Sequence, residues 1–219
     1  MAIVWRRLDF VAMLCPPMVV RPVQPQFPAP FMSGASCLAD LIQLLAHRSA
    51  RRGKFVLSSG RTSDMYIDAR LTTMSPEGLS LIGPLGLDRL KALNWEPDAV
   101  GGLTLGADPI AYAISYASAL DQVPVRAFTV RKEAKTHGTG RLIEGPFQPA
   151  DRVVVIEDVI TTGGSALRAI EAVRAAGGHV VGVLALVDRE EGGRERLEAA
   201  GAVVTALVTV SDLLPLLSA

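Results

Sequence analysis

The chain has 219 residues, 49% of them hydrophobic, with 22 basic and 22 acidic side chains and a formal charge of zero. That length accommodates one sizeable α/β domain with its own core. The charge balance argues against a general nucleic-acid or anionic-membrane binder, and no run approaches the roughly 18 apolar residues of a membrane span.

Residues 1–35 read as a disordered Pro-rich extension, and 36–219 as a single domain. The first 31 residues carry Pro16, Pro17, Pro22, Pro25, Pro28 and Pro30, which disfavour helix and strand alike. Arg6 and Arg7 precede an apolar stretch as in a signal peptide, but Asp9 interrupts it and no small-residue cleavage site closes it. Initiation at Met32 is the alternative, and N-terminal sequencing of native protein decides it. Cys15 and Cys37 form no CxxC pair and have no histidine cluster nearby, which fits a reducing cytoplasm.

From Ser36 the pattern becomes regular. Leu38, Leu41, Ile42 and Leu45 fall on one helical face and predict a helix over 36–50. Phe55–Leu57 and Met65–Ala69 predict a hairpin. Pro76 suits the first turn of a helix running to Leu93. A buried strand is predicted over Asp98–Leu103, a loop over Thr104–Asp108, and a helix from Pro109 to Leu120. Strands are predicted over Val123–Val130, Arg152–Ile156, Val180–Val187 and Val203–Val208. Helices are predicted over Ala166–Ala176, 191–200 and Leu213–Leu217. Strands alternating with helices imply a parallel sheet, whose ligands bind beyond the carboxyl ends of the strands.

The most informative stretch is Val153 to Ser165. An apolar strand runs into Glu157 and Asp158, then Val159-Ile160-Thr161-Thr162-Gly163-Gly164-Ser165, and a helix opens. The two carboxylates can accept hydrogen bonds from a pair of sugar hydroxyls. The glycines permit close backbone approach, and N–H groups at a helix N-terminus suit a phosphate. An acidic pair or a Gly-Gly turn alone reads as an ordinary cap or turn. The whole ordered string describes a ribose 5-phosphate site.

A second constellation lies within Arg131–Pro149, which has no periodicity. Arg131, Lys132, Lys135, His137 and Arg141 can carry positive charge, opposed locally by Glu133. Most charge runs are solvated faces. A segment this long in a compact domain is more often functional, and Gly138 and Gly140 suit a flap that closes over a polyphosphate.

The 153–165 string resembles the phosphoribosyl pyrophosphate (PRPP) motif of type I phosphoribosyltransferases. Arg131-Lys132-Glu133-Ala134-Lys135-Thr136-His137-Gly138 resembles the catalytic loop of the orotate members. Phe55 to Ser63 and Tyr66-Ile67-Asp68 are similar to their N-terminal hairpin, and Asp188-Arg189 to their pyrimidine-side arginine position. The resemblance spans about residues 36–210. It implies a central, mostly parallel sheet flanked by helices, with a small hood hairpin and a flexible catalytic loop. It implies transfer of the phosphoribosyl group from PRPP to N1 of orotate, with Lys135, Lys132, Arg131 and His137 as catalytic residues that also bind PRPP. Glu157 and Asp158 would bind the ribose hydroxyls. The backbone from Thr161 to Ser165 would hold the 5-phosphate within a PRPP-binding run from Glu157 to Ser165. Thr161 and Arg189 would bind orotate, although Arg189 alone reads as a surface arginine paired with Glu190 or Glu191. Mg²⁺ is expected to be held mainly by substrate and water, without a protein ligand cage. A cytoplasmic homodimer is expected, with the loop carried into the neighbouring site and Lys132 acting there, and with no nucleic-acid or membrane partner. His47 and His179 read as structural.

The chain departs from that pattern twice. Many relatives carry a lysine where Ser58 stands, and another in the loop before the third helix, where this chain has Leu105-Gly106-Ala107. Arg61 is expected to supply part of the lost charge. Two other readings stay open. A phosphoribosyltransferase for another base would turn over a purine instead of orotate. A PRPP-sensing regulator would need a nucleic-acid surface, and the Pro-rich segment shows no recognition-helix pattern.

Overall fold

The computed structural model describes residues 34–56, 62–133 and 142–217, all within one compact unit. The Pro-rich extension up to residue 33, Met32, Cys15, Ser58, Arg61, Lys135, His137 and Arg141 lie outside the described residues. In chain order the elements are α1 (Gly34–Arg48), β1 (Ala50–Val56), β2 (Thr62–Ile67), α2 (Arg70–Thr73), α3 (Pro76–Ala92), β3 (Ala99–Leu103) and α4 (Ala107–Leu120). There follow β4 (Arg126–Val130), β5 (Ile143–Glu144), β6 (Arg152–Ile160), α5 (Gly164–Ala175), β7 (His179–Asp188), α6 (Gly193–Ala199), β8 (Val204–Thr209) and α7 (Val210–Leu213), with a 3₁₀ turn over Leu214–Leu216.

Six strands form one sheet in the order β5-β4-β3-β6-β7-β8, parallel except for the short edge strand β5. The two-residue alternation of β6 sorts the core into two layers. Val154 and Ile156 face α1, α3 and α4, while Val153 and Val155 face α5 and α6. All four are fully buried. Burying each such aliphatic side chain contributes about 1.5–3 kcal/mol, so a slip of one residue in register would invert both layers.

Several boundaries differ from the sequence expectation for identifiable reasons. Strand β1 begins at Ala50, because Arg51, Arg52 and Lys54 are exposed on a two-stranded ribbon and hide its alternation. The four-residue helix α2 is too short to leave a period. Helix α3 starts as predicted, with the Ser75 hydroxyl accepting from the Gly78 N–H at 3.1 Å. Strand β4 starts only at Arg126, since Pro124 has no N–H and Val123 turns outward. Helix α7 begins three residues before the predicted turn, at a capping box formed by Thr209 and Asp212. No helix among the described residues is long and apolar enough to cross a membrane.

One difference shapes the site. Strand β6 runs to Ile160, so Glu157 and Asp158 lie within it and not beyond its end. Its partner β7 pairs with it as far as Ile160↔Asp188. On the other side β3 pairs only as far as Gly101↔Val155. The sheet therefore splits between β3 and β6, where connections diverge to opposite sides, and this is where open α/β sheets bind ligands.

Candidate active site

The split opens into a cavity of about 410 Å³. Its floor is the end of β6 with Glu157, Asp158 and Val159. Thr161, Ser165 and Arg168 line it from the turn between β6 and α5 and from α5, Leu103 to Gly106 from the end of β3, and Tyr66 to Arg70 from β2 and the start of α2. Arg189 and Lys132 complete the lining.

Glu157 is 8% exposed, and its Oε2 has no hydrogen-bond partner. Burial, and then the neighbouring Asp158 charge, push its carboxyl well above the usual range, with Arg168 opposing the shift. A buried polar oxygen left without a partner costs stability and is satisfied by a ligand hydroxyl. Folded Glu157 keeps its proton where the unfolded chain has already lost it. The stability it contributes is therefore full below about pH 4.5 and falls as pH rises through the raised folded value. Glu157→Gln is neutral throughout. We expect its thermal midpoint to exceed wild type at neutral pH, by roughly 2–4 °C per kcal/mol recovered. The gain should vanish in acid, and a calorimetric pH series that finds it unchanged there would refute this account.

Asp158 is fixed at both edges. Its Oδ1 accepts from the Val159 N–H at 2.8 Å. Gly106 lies so close across the crevice that a Cβ there would meet Asp158 Oδ2 at 2.4 Å. The Gly106 loop is held in turn: the Thr104 hydroxyl donates to Asp108 at 2.7 Å, the Thr129 hydroxyl donates to the same carboxylate at 2.9 Å, and Tyr112 meets Thr129 at 2.9 Å. The Thr104–Leu105 peptide is cis.

Behind Thr161 the chain turns through Gly163, at φ 72°, into α5. Glycine is required there, since a Cβ would also lie 2.9 Å from the Gly193 carbonyl. No acidic side chain stands in the first turn of α5, so the positive end of the helix is left for an anion. Of the predicted run, Glu157, Asp158, Val159, Thr161 and Ser165 line the cavity. The Ile160 side chain is fully buried with Val155, Ala166 and Leu197, on the face opposite to the one strict alternation from Ile156 would give it. Thr162, Gly163 and Gly164 are not among the residues lining the cavity.

Arg189 is buried, not the surface residue that its sequence context allowed. It donates to the Met65 carbonyl at 3.1 Å and pairs with Glu191 at 2.6 Å. Glu190 instead accepts from Ser211. Asp188 fixes this turn by accepting from the Glu190 N–H at 2.9 Å and from Arg194 at 2.7 Å.

Residues 134–141 of the charged segment lie outside the described residues, and its described ends are tied. The Arg131 N–H donates to the Leu142 carbonyl at 2.8 Å, beside the β4–β5 pair. The Arg131 side chain turns to its own stem, 3.6 Å from Glu144, and does not line the cavity. Lys132 lines the cavity of its own chain. It stands two residues past β4, and β4 is only one strand from the split.

Two cationic cavity residues escaped sequence reading, Arg70 and Arg168. Arg168 follows Ser165 by three residues on α5, a helical spacing that could have placed it. Arg70 has no such signal, because α2 is invisible in the pattern. Among the described residues no group of three or more His, Cys, Asp or Glu could hold a metal.

Comparison with known proteins agrees with this geometry. A model of the phosphoribosyl transferase domain matches residues 75–206. The chain is 51% identical over 177 residues to the orotate phosphoribosyltransferase of Aquifex aeolicus, covering 81% of this chain and 96% of that one. It is 47% identical over 185 residues to that of Sorangium cellulosum, covering 84% and 96%. Among solved structures, Mycobacterium tuberculosis orotate phosphoribosyltransferase in complex with Fe(III) dicitrate aligns with a TM-score of 0.72 at 45% identity, over 81% of this chain and 98% of that one. A structure of the same enzyme in complex with PRPP aligns at 0.68 and 42% identity, with the same coverage. Identity at this level over nearly the full length of these relatives, together with a sheet split at its switch point, shows that the chain belongs to the orotate phosphoribosyltransferases.

Proposed function

We propose that the protein transfers the 5-phosphoribosyl group from PRPP to N1 of orotate, giving orotidine 5′-monophosphate and pyrophosphate in pyrimidine (UMP) biosynthesis. The observation that carries this is the orphaned Oε2 of Glu157 beside Asp158, set against the helix N-terminus at Thr161–Ser165. These are acceptors for a sugar diol next to a phosphate cradle.

The residues divide the work by chemistry. Asp158 accepts one ribose hydroxyl, and Glu157, held toward its neutral form, can accept and donate with the other. Backbone N–H groups of Thr161 to Ser165 hold the 5-phosphate. Arg189, steadied by Glu191 and the Met65 carbonyl, faces the orotate carboxylate, with Thr161 beside it. The C1–oxygen bond of PRPP breaks as the N1–C1 bond forms, pyrophosphate leaves with the electron pair, and the N1 proton of orotate passes to the pyrophosphate or to solvent. Lys132 at the cavity wall, with Lys135 and His137 of the loop, meets that growing charge.

Asp158 is the group whose chemistry fits a hard cation, and Mg²⁺ there would be held mostly by substrate oxygens and water. Bound there, Mg²⁺ would neutralise charge on the pyrophosphate. The protein acts in the cytoplasm as a homodimer, with the loop beyond Lys132 reaching the neighbouring site.

Loss of orotate absorbance on adding PRPP and Mg²⁺, absent when any one is omitted, tests the reaction. Turnover of a purine instead would move the assignment to another base. For the dimer, inactive Lys135→Ala mixed with inactive Asp158→Asn should recover roughly a quarter of wild-type activity, the share left when subunits of a two-fold dimer mix at random. No recovery would place Lys135 in its own chain's site.

A further inference from the structure

We infer that Arg70 binds the pyrophosphate of PRPP, an inference that rests on the reading of this cavity as an orotate phosphoribosyltransferase site. Four cationic side chains line the cavity among the described residues: Arg70, Lys132, Arg168 and Arg189. Arg189 is buried against Glu191 and the Met65 carbonyl. Arg168 rises from α5, on the side of the phosphate cradle. Lys132 enters from the loop. Lys132 reaches the Thr104 side from the end of β4, whose Val130 carbonyl accepts from the Thr104 N–H at 2.8 Å. Arg70 comes to that side from a fixed element, since α2 and the residue after it place Thr73 and Met74 beside Leu105.

That side is where the pyrophosphate must lie. The C5 phosphate and the C1 substituent of a ribose leave from opposite ends of the ring. With the diol at Glu157 and Asp158 and the 5-phosphate at Thr161–Ser165, the C1 side points away from that cradle. Across Asp158 from the cradle stands Gly106, close enough to exclude even a methyl group. The Arg70 guanidinium, held protonated first by Asp68, also feels the Asp158 charge.

Arg70 is built for the task. Its Nε and Nη2 donate to the two oxygens of Asp68 at 2.8 and 2.9 Å. This fork fixes the guanidinium plane and leaves its remaining N–H groups for an anion. The side chain is 51% exposed, so a ligand reaches it without moving protein. Asp68 offsets part of the charge. It also removes rotamer freedom that binding would otherwise have to quench. The alternative role is local, because Asp68 also accepts from the Arg70 N–H at 3.2 Å at the start of α2.

Calorimetric titration of the full chain with PRPP, inorganic pyrophosphate, ribose 5-phosphate and orotate separates the two roles. Arg70→Ala should weaken PRPP and pyrophosphate by about 10- to 100-fold, the size of a charge-assisted contact, and leave ribose 5-phosphate and orotate unchanged. Arg70→Lys should recover part of the loss. If Arg70→Ala does not fold, Arg70→Gln with a near-native thermal midpoint replaces it. Equal weakening of all four ligands, a loss confined to orotate, or no change would overturn the inference. Wild-type protein that binds neither PRPP nor pyrophosphate would overturn the reading of the site and the inference with it. Wild-type binding matched by Arg70→Ala would overturn the inference alone.

Discussion

Lys135→Ala should lower the turnover number by about 10²- to 10³-fold, the cost of removing one preorganised donor to a developing anion, with PRPP affinity little changed. The asymmetry follows from where charge appears. Bound PRPP already carries its phosphates, which the proposed site would hold with backbone N–H groups at α5 and with side chains on fixed elements. What grows in the transition state is charge on the pyrophosphate oxygen that leaves C1. In the proposed mechanism Lys135 meets that oxygen, so its contact would be stronger in the transition state than in the ground state. Single-turnover rates measured beside equilibrium PRPP binding decide the matter. Comparable losses in both would make Lys135 a ground-state binder.

Gly106→Val should lower kcat/KM by on the order of 10²-fold, the effect of displacing a reacting group by about an ångström. A Cβ at this position would lie 2.4 Å from Oδ2, 2.5 Å from the carboxyl carbon and 2.7 Å from Oδ1 of Asp158. Neither side yields cheaply. Asp158 sits in a paired strand with Oδ1 bound to the Val159 N–H at 2.8 Å. The loop is anchored by the Thr104 N–H to the Val130 carbonyl at 2.8 Å and by the Thr104 hydroxyl to Asp108 at 2.7 Å. The carboxylate must therefore swing off the ribose seat, and the valine branch enlarges the displacement. A near-native thermal midpoint with a raised KM for PRPP is the expected signature. Native-like PRPP affinity would mean that Asp158 is not the diol acceptor.

Gly106 also shows how the departures from the family pattern are to be understood. The missing lysine at this position was legible in the sequence as lost positive charge. That the space is filled by the Asp158 carboxylate was not, because closeness across the split depends on how far β3 and β6 stay paired. Arg61, the compensating cation that the sequence offered, lies outside the described residues, whereas Arg70 lines the same cavity as Gly106.

What the sequence determined by itself is whatever lies in one contiguous stretch. The apolar run into Glu157 and Asp158, the Thr161–Ser165 turn and the opening of α5 form one strand-loop-helix unit. Local chemistry and spacing suffice to identify its ligand as a ribose phosphate. The strand-helix alternation likewise dictated a parallel sheet, because each element carries its own period. Tertiary structure alone decided which distant segments face one another. It ended the β3–β6 pairing at Val155, buried Arg189 against Met65, turned the Arg131 side chain to Glu144, and brought Lys132 and Arg70 into one cavity. These facts rest on register and on packing between elements far apart in the chain. Side-chain periodicity carries no information about such distances.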